Sequence, residues 1–318
     1  MRSAGAGASG TNGGILTPWS ENHPSFAARC APPPAVAKEQ LVTVTAMVEI
    51  ARNLLNYREL IAVMAWKQII VRYKQSYLGL AWAVLKPLTL MLVFTLLNSF
   101  VGITSGDIPY PVISFTALLP WVFFQESTSE GVGSIVYNAQ LIRKIYFPRE
   151  IFPLTSVLTK LVEFCINAVV LAALLFYFKV TPAATIVWIP LLVVYIILAS
   201  LAVALIGAAL NVFYRDIGTM LPILLQLMMY ASPVIYPMSL VKQKLLVDHM
   251  AGDWSAVLYR IYTLNPMAGI IDAFQRAILH GRAPDFDVMW PGMLITALLL
   301  PLSYAAFKRA EQYFADIV

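Results

Sequence analysis

The apolar positions fall into six long runs, at about 80–103, 111–137, 154–178, 186–212, 219–237 and 288–307, each bounded by Pro, Gly or a charged residue. A helix needs about 20 apolar residues to cross a hydrocarbon core of about 30 Å, so each run predicts one membrane span. The second run departs from the pattern. Its strongly apolar part ends at Phe124, and Gln125-Glu126-Ser127-Thr128-Ser129-Glu130 continues in helical register before Tyr137. Those polar groups need protein or water around them, so the segment predicts a pore or interface helix. From Val48 to Tyr77, Leu54, Leu55, Ile61, Met64, Ile69 and Ile70 alternate with Arg52, Arg58, Lys67, Arg72 and Lys74, the pattern of a basic helix lying on a membrane surface. Between the fifth and sixth runs, Asn265-Pro266-Met267 leads into Ile270, Ile271, Phe274, Ile278 and Leu279, a short amphipathic helix that is re-entrant or at the outer interface. Residues 1–47 are rich in Gly, Ala, Ser and Pro and lack the apolar core of a signal peptide, so they predict a flexible cytosolic arm. The reading is an all-α polytopic membrane protein with an arm at 1–47, an interface helix at 48–79 and a six-span domain at 80–318.

Composition agrees. Of 318 residues, 59% are hydrophobic and 12% are charged, against about a quarter charged in a soluble domain. This excludes disorder and an ordinary soluble globule. A net charge of +5 could suggest nucleic acid, but in a membrane chain the placement of Lys and Arg decides more than their sum. The surface helix and the start of the first span hold six of them (Arg52, Arg58, Lys67, Arg72, Lys74, Lys86), and the 138–153 loop holds Arg143, Lys144 and Arg149. Arg215, Lys308 and Arg309 lie on the same side, whereas the loops at 104–110 and 179–185 contribute Lys179 alone. The positive-inside rule places both termini in the cytosol and the 238–287 connection outside. Cys30 and Cys165 supply neither a disulfide framework nor a Cys-rich metal site.

Candidate chemistry is sparse. No Gly-Lys pair occurs, so no phosphate-cradling Gly-x-x-x-x-Gly-Lys-Ser/Thr loop exists; Gly-x-Ser-x-Gly and His-Glu-x-x-His are also missing. We assign no catalytic residue, metal ligand or cofactor-binding residue. The densest signal is the loop from Asn138 to Pro153, which combines Arg143, Lys144 and Arg149 with Tyr146, Phe147, Phe152 and two prolines. It reads either as a short helix docking in a partner's groove or as a basic loop held at anionic lipid headgroups. The corner Phe213-Tyr214-Arg215-Asp216 is either a second docking contact or a topology anchor.

The segments Leu141-Ile142-Arg143-Lys144-Ile145-Tyr146-Phe147-Pro148-Arg149, Phe213-Tyr214-Arg215-Asp216, Ser232-Pro233-Val234-Ile235-Tyr236-Pro237 and Asn265-Pro266, in this order and spacing, resemble the permease subunit of type-2 ABC polysaccharide exporters. The resemblance runs from about residue 55 to 310; the long N-terminal arm departs from the family's short one. It implies a homodimer of six-span permeases in the bacterial cytoplasmic membrane, joined to two copies of a separate ABC ATPase that binds ATP and Mg. It further implies export of a polyprenyl-diphosphate-linked polysaccharide such as O-antigen, capsule or teichoic acid. In that reading Leu141, Ile142, Arg143, Lys144, Tyr146, Phe147, Pro148 and Arg149 form the ATPase-coupling loop, with Tyr214, Arg215 and Asp216 as a second cytosolic corner.

Periodicity suggests a channel lining. Gln226, Tyr230, Pro233 and Pro237 recur at helical spacing, as do Trp121, Gln125 and Thr128. With Trp82, Phe94 and Tyr236 they offer aromatic faces and amides suited to sugars, or else helix packing and an aromatic belt. Glu126 and Glu130 lie about 22 and 28 Å along the second helix from Pro111, toward the cytosolic side. They read as a structural ion pair with Lys or Arg, or as a polar access for the diphosphate head. Lys160 and Glu163, three apart, pair with each other or snorkel. Arg58, Lys67, Arg72, Lys74 and Lys86 are candidates for collecting the lipid diphosphate, with headgroup anchoring as the competing role. The alternatives to polysaccharide export are an ABC permease for a drug or simple lipid and a membrane enzyme acting on polyprenyl-linked sugars.

Overall fold

The computed structural model describes residues 56–74, 79, 81–102, 108–144, 147–181 and 184–317, and every regular element among them is helical. In chain order these are α1 (Arg58–Lys74), α2 (Ala81–Val101), α3 (Tyr110–Tyr137), α4 (Ala139–Lys144), α5 (Ile151–Tyr177), α6 (Ile189–Phe213, after a 3₁₀ turn), α7 (Asp216–Tyr230), α8 (Met238–Lys242), α9 (Ser255–Leu264), α10 (Pro266–Leu279) and α11 (Phe286–Ile317). The arm at 1–47, the first part of the surface helix at 48–55, and Tyr146 lie outside the described residues.

Among the described residues, four stretches are long and apolar enough to cross a membrane: Ala81–Phe100, Ile151–Tyr177, Ala184–Phe213 and Phe286–Phe314. The other two predicted runs differ for separate reasons. Helix α3 has 28 residues but carries Glu126 and Glu130 in its second half. Helix α7 has 15 residues and stops at Tyr230, about 22 Å of helix. The predicted 219–237 span is therefore not one helix. Pro233 disfavours helical backbone at Ser232, and the chain turns there, with Val234 N–H on Ser232 O at 2.7 Å, before α8 resumes at Met238.

Helix α3 is the centre of the bundle. It packs against α2, α5, α6, α7 and α10, and most of its residues from Tyr110 to Ile135 are buried. Backbones approach closely where it meets α6: a Cβ on Gly131 would lie 2.6 Å from Ala204 Cβ, and one on Gly207 would lie 2.4 Å from Val132 Cγ2. Small residues at such crossings are how membrane helices gain van der Waals contact without a hydrophobic driving force. One core surrounds Phe115, Trp121, Phe164 and Phe274. A second, around Phe152, Leu205, Phe307 and Phe314, sits at the end of the bundle that carries the 147–150 loop and the 213–216 corner, hereafter the loop end. The opposite, cap end holds α8, α9 and α10.

Helix α10 forms where the Asn265-Pro266 signal predicts. Asn265 accepts from Met267 N–H at 3.1 Å and Pro266 occupies the first turn, which satisfies an orphan amide and presets φ. Enclosed by α3, α6 and α11, it is buried on nearly all faces. The outward faces of α2 (Leu92, Leu96, Phe100) and α7 (Met220, Ile223, Leu227) stay exposed and apolar, as lipid or a second chain would cover them.

Candidate functional site

Four helices bring six charges together, from the nearly buried Lys160 to the half-exposed Lys86. Lys160 Nζ on α5 lies 2.7 Å from Glu126, 3.0 Å from Glu130 and 2.9 Å from Glu163. Lys86 on α2 reaches the other oxygen of Glu126 at 2.5 Å. Arg72 on α1 pairs with Glu163 at 2.5 Å and with Glu130. Three carboxylates thus face three cations, and Lys160 is only 5% exposed. Such charges persist away from water only when paired. Tyr73 donates to Glu163 at 2.8 Å; burial and that carboxylate push its phenol up to about 12, so it remains a donor. Burial opposes the charge on Arg72, but Glu130 and Glu163 outweigh it and hold the guanidinium above its ordinary pKa.

This arrangement realises the ion-pair reading of Glu126 and Glu130 and the pairing of Lys160 with Glu163. It also changes the diphosphate candidates. Arg72 bonds Glu130 and Glu163, and Lys86, whose side chain is 54% exposed, bonds Glu126. Arg58, Lys67 and Lys74 point outward on α1. Alongside them Val63, Trp66, Ile70 and Val71 are exposed, while Ile61 and Met64 are buried where α1 packs on α5.

The proposed channel residues divide. Phe94, Trp121 and Thr128 are buried within the single chain and line no surface of it; aromatic area gains most from burial. Gln125 joins two helices: Trp121 Nε1 donates to its Oε1 at 3.1 Å, and its Nε2 donates to Gln226 Oε1 on α7 at 3.3 Å. Trp82 and Tyr230 are exposed, and Tyr236 donates to Tyr230 O at 3.1 Å. Because α7 ends at Tyr230, Pro233 and Pro237 do not extend the Gln226–Tyr230 face. They belong to a turn in which Asn265 Nδ2 donates to Ser232 Oγ at 2.8 Å and Tyr110 donates to Ile235 O at 2.6 Å. The Ser-Pro and Asn-Pro motifs therefore meet in space.

At the loop end, α4 covers Ala139–Lys144, with Ile142 buried, Leu141 half-buried and Arg143 exposed; the Lys144 side chain lies outside the described set. Phe147 stacks near Phe152 at 5.2 Å, and Pro148 beside it is half-buried. Arg149 does not point away from the chain: its backbone N–H donates to Glu311 Oε1 at 3.0 Å and its guanidinium donates to Glu311 O. Glu150, nearly buried, meets Lys308 at 2.7 Å. At the corner, Tyr214 (66% exposed), Arg215 and Asp216 face outward. Asn211 holds that corner, accepting from Gly218 N–H at 2.8 Å and donating to Val132 O at 3.2 Å.

Sequence reasoning missed Glu150, Lys308, Glu311 and Asn211. The i, i+3 spacing of Lys308 and Glu311 past the last apolar run was a usable signal; the reach of Asn211 across three helices had none. At the cap end, Asp285 meets Lys242 at 2.6 Å and Arg276 at 3.1 Å. Burial works against its ionisation, but the two cations pull its carboxyl below the usual range. Asp272, 2.7 Å from Arg276, is pushed up because burial outweighs that partner.

The chain is 29% identical over 273 residues to the O-antigen export system permease protein RfbA of Myxococcus xanthus, covering 86% of this chain and 100% of that protein. It is 28% identical over 277 residues to the O-antigen export system permease protein RfbA of Klebsiella pneumoniae, covering 85% and 99%. With the polysialic acid transport protein KpsM of Escherichia coli it shares 24% over 255 residues, covering 77% and 91%. The profile of the ABC-2 type transporter family matches residues 59–279, from the second residue of α1 to the last of α10. That segment takes in more than half of the chain, all six members of the charge cluster and both loop-end corners up to α11: the chain belongs to the ABC-2 type transporter family.

Proposed function

We propose that this chain is the membrane permease subunit of an ATP-driven exporter that moves a polyprenyl-diphosphate-linked polysaccharide across the bacterial cytoplasmic membrane. The observation that carries the reading is the similarity to export permeases over 77–86% of this chain, with identity and coverage higher for the O-antigen relatives than for the polysialic acid relative. An O-antigen-like polymer is accordingly the preferred cargo over a capsular one.

In this reading the functional unit is a homodimer with two ABC ATPase subunits, which bind ATP and Mg. The loop end faces the cytosol, both termini lie there, and α2, α3, α5, α6, α7 and α11 make six crossings. Helix α7 is short for a span, and the turn at 231–237 with α8 completes the passage. Helix α1 lies along the inner leaflet, tied to α3 and α5 by Arg72, with Trp66 and Val63 toward lipid and Lys67 and Lys74 toward headgroups. The α4 segment, with Phe147 and Pro148, seats on the ATPase, and Tyr214, Arg215 and Asp216 make the second contact. Trp82, Gln125, Gln226, Tyr230 and Tyr236 are the channel-facing candidates that are not buried in one chain. The chain does no bond chemistry of its own; it converts ATPase movement into movement of the polymer.

The test is to solubilise the membrane gently, capture the chain by a C-terminal tag and quantify what co-purifies, while scoring surface polysaccharide after depletion. An ABC ATPase in equal amount, with loss of surface polysaccharide, is the expected result. Recovery of the folded chain alone, with surface polysaccharide intact, would refute it.

A further inference from the structure

The loop Phe147–Glu150 lies between α4 and α5 and outside both helices, and Pro148 within it lacks a backbone donor. Its two charged residues are held by one helix. Arg149 bonds through its backbone N–H and its guanidinium to Glu311, and that guanidinium lies 5.9 Å from the centre of the Phe314 ring. Glu150 accepts from Lys308 at 2.7 Å and from Tyr304 at 3.4 Å. Lys308 in turn bonds Glu311 at 3.0 Å. Tyr304, Lys308, Glu311 and Phe314 follow at intervals of four, three and three, so they share one face of α11. The side chain of Glu150 sits at the start of α5, where helix amides favour negative charge, and it is 4% exposed. A neighbouring position on α11 reaches the second corner: Tyr313 meets Phe213 edge-on at 6.4 Å. The loop and the corner, which the sequence suggests as separate contacts, are thus both fastened to one three-turn segment of α11.

The geometry points to that segment, Tyr304–Phe314, as a positioning strut that holds the coupling loop and the 213–216 corner as one body, so that ATPase movement at either is delivered to both. The inference rests on the exporter reading above. Lys308 and Glu150 are its positioning residues; they act through the loop and need not touch the ATPase.

The test co-expresses the full chain with its ATPase in cells lacking their own copy. It reads ATPase retained per chain, KM and kcat for ATP of the purified complex, and polysaccharide reaching the surface per chain. Lys308→Met is expected to keep the ATPase and its KM while export per ATP falls on the order of tenfold, since slight misplacement of a positioned group suffices. Lys308→Arg keeps the charge and restores export per ATP to within about twofold. Because Lys308→Met strands a buried carboxylate, Glu150→Gln with Lys308→Met is made alongside. That pair accumulates like the parent and shows the same lowered export per ATP. Parental export per ATP in the double variant overturns the inference, as does loss of the ATPase from either variant, which would make Lys308 a docking or folding residue. A parent chain that retains no ATPase overturns the exporter reading and this inference with it.

Discussion

Lys160 holds its charge at 5% side-chain exposure because three carboxylates surround it within 3.0 Å. Removing one partner of a buried pair leaves the others uncompensated, at a loss of about 3–5 kcal/mol. Lys160→Met is therefore expected to lower the thermal midpoint of the detergent-solubilised protein strongly, and adding Glu126→Gln should recover part of the loss. A Lys160→Met protein that melts with the parent would show that the cluster contributes nothing to stability. Part of this was legible residue by residue: Lys160 and Glu163 are three apart on an apolar helix, and an intramembrane acid such as Glu126 demands a cation. Which cation was not legible. Arg72 and Lys86, equally good phosphate ligands on paper, are drawn to Glu130 and Glu126 by a packing of four helices that no local pattern encodes. Likewise Trp121 looks like a sugar platform along the helix, and only the neighbours of α3 show it to be buried.

At the scale of elements, local signals served well where they were covalent in origin. Pro266 after Asn265 starts α10 as expected, through φ and a missing donor, which need no partner; Pro233, which the sequence reading kept on a helical face, acts against helix by the same means. The continuous run at 219–237 misled because hydropathy does not register that Ser232 precedes a proline. Helix α10 looked amphipathic, yet its polar side is engaged: Arg276 bonds Asp272 and Asp285, and Lys242 reaches Asp285 from α8. Asp285 has a depressed pKa in the fold, so its stabilisation is complete above the unfolded carboxylate value of about 3.9 and is lost as pH falls through the folded value. The expected outcome is a thermal midpoint for Asp285→Asn that lies below the parent by a constant amount at pH 5–7, with the gap closing below about pH 4. A gap that widens on acidification would contradict the assignment.

For the whole molecule, the proposed topology makes a directional prediction. In a background with both cysteines replaced, Tyr214→Cys at the loop end and Asp253→Cys at the cap end should label from opposite faces of sealed vesicles with a membrane-impermeant maleimide. The two sites are separated by α7 alone among the proposed spans. Labelling from the same face would mean that α7 does not cross, and the six-span reading would fall. The apolar outer faces of α2 and α7 bear on the same scale, since a chain with Leu96, Phe100, Ile223 and Leu227 uncovered requires lipid or another copy around it.

Membrane residence, the helical class, the sidedness expectation, the position of α10 and the family resemblance were all written along the chain, because hydropathy, charge placement and proline act over a few residues. The charge cluster, the fastening of Arg149 and Glu150 to α11, the Asn211 clasp and the meeting of Ser232 with Asn265 came only with the tertiary structure. Their contacts between helices join groups from 7 to 162 residues apart. A buried polar group must find some partner, but among many chemically equivalent candidates the choice is made by which helices pack.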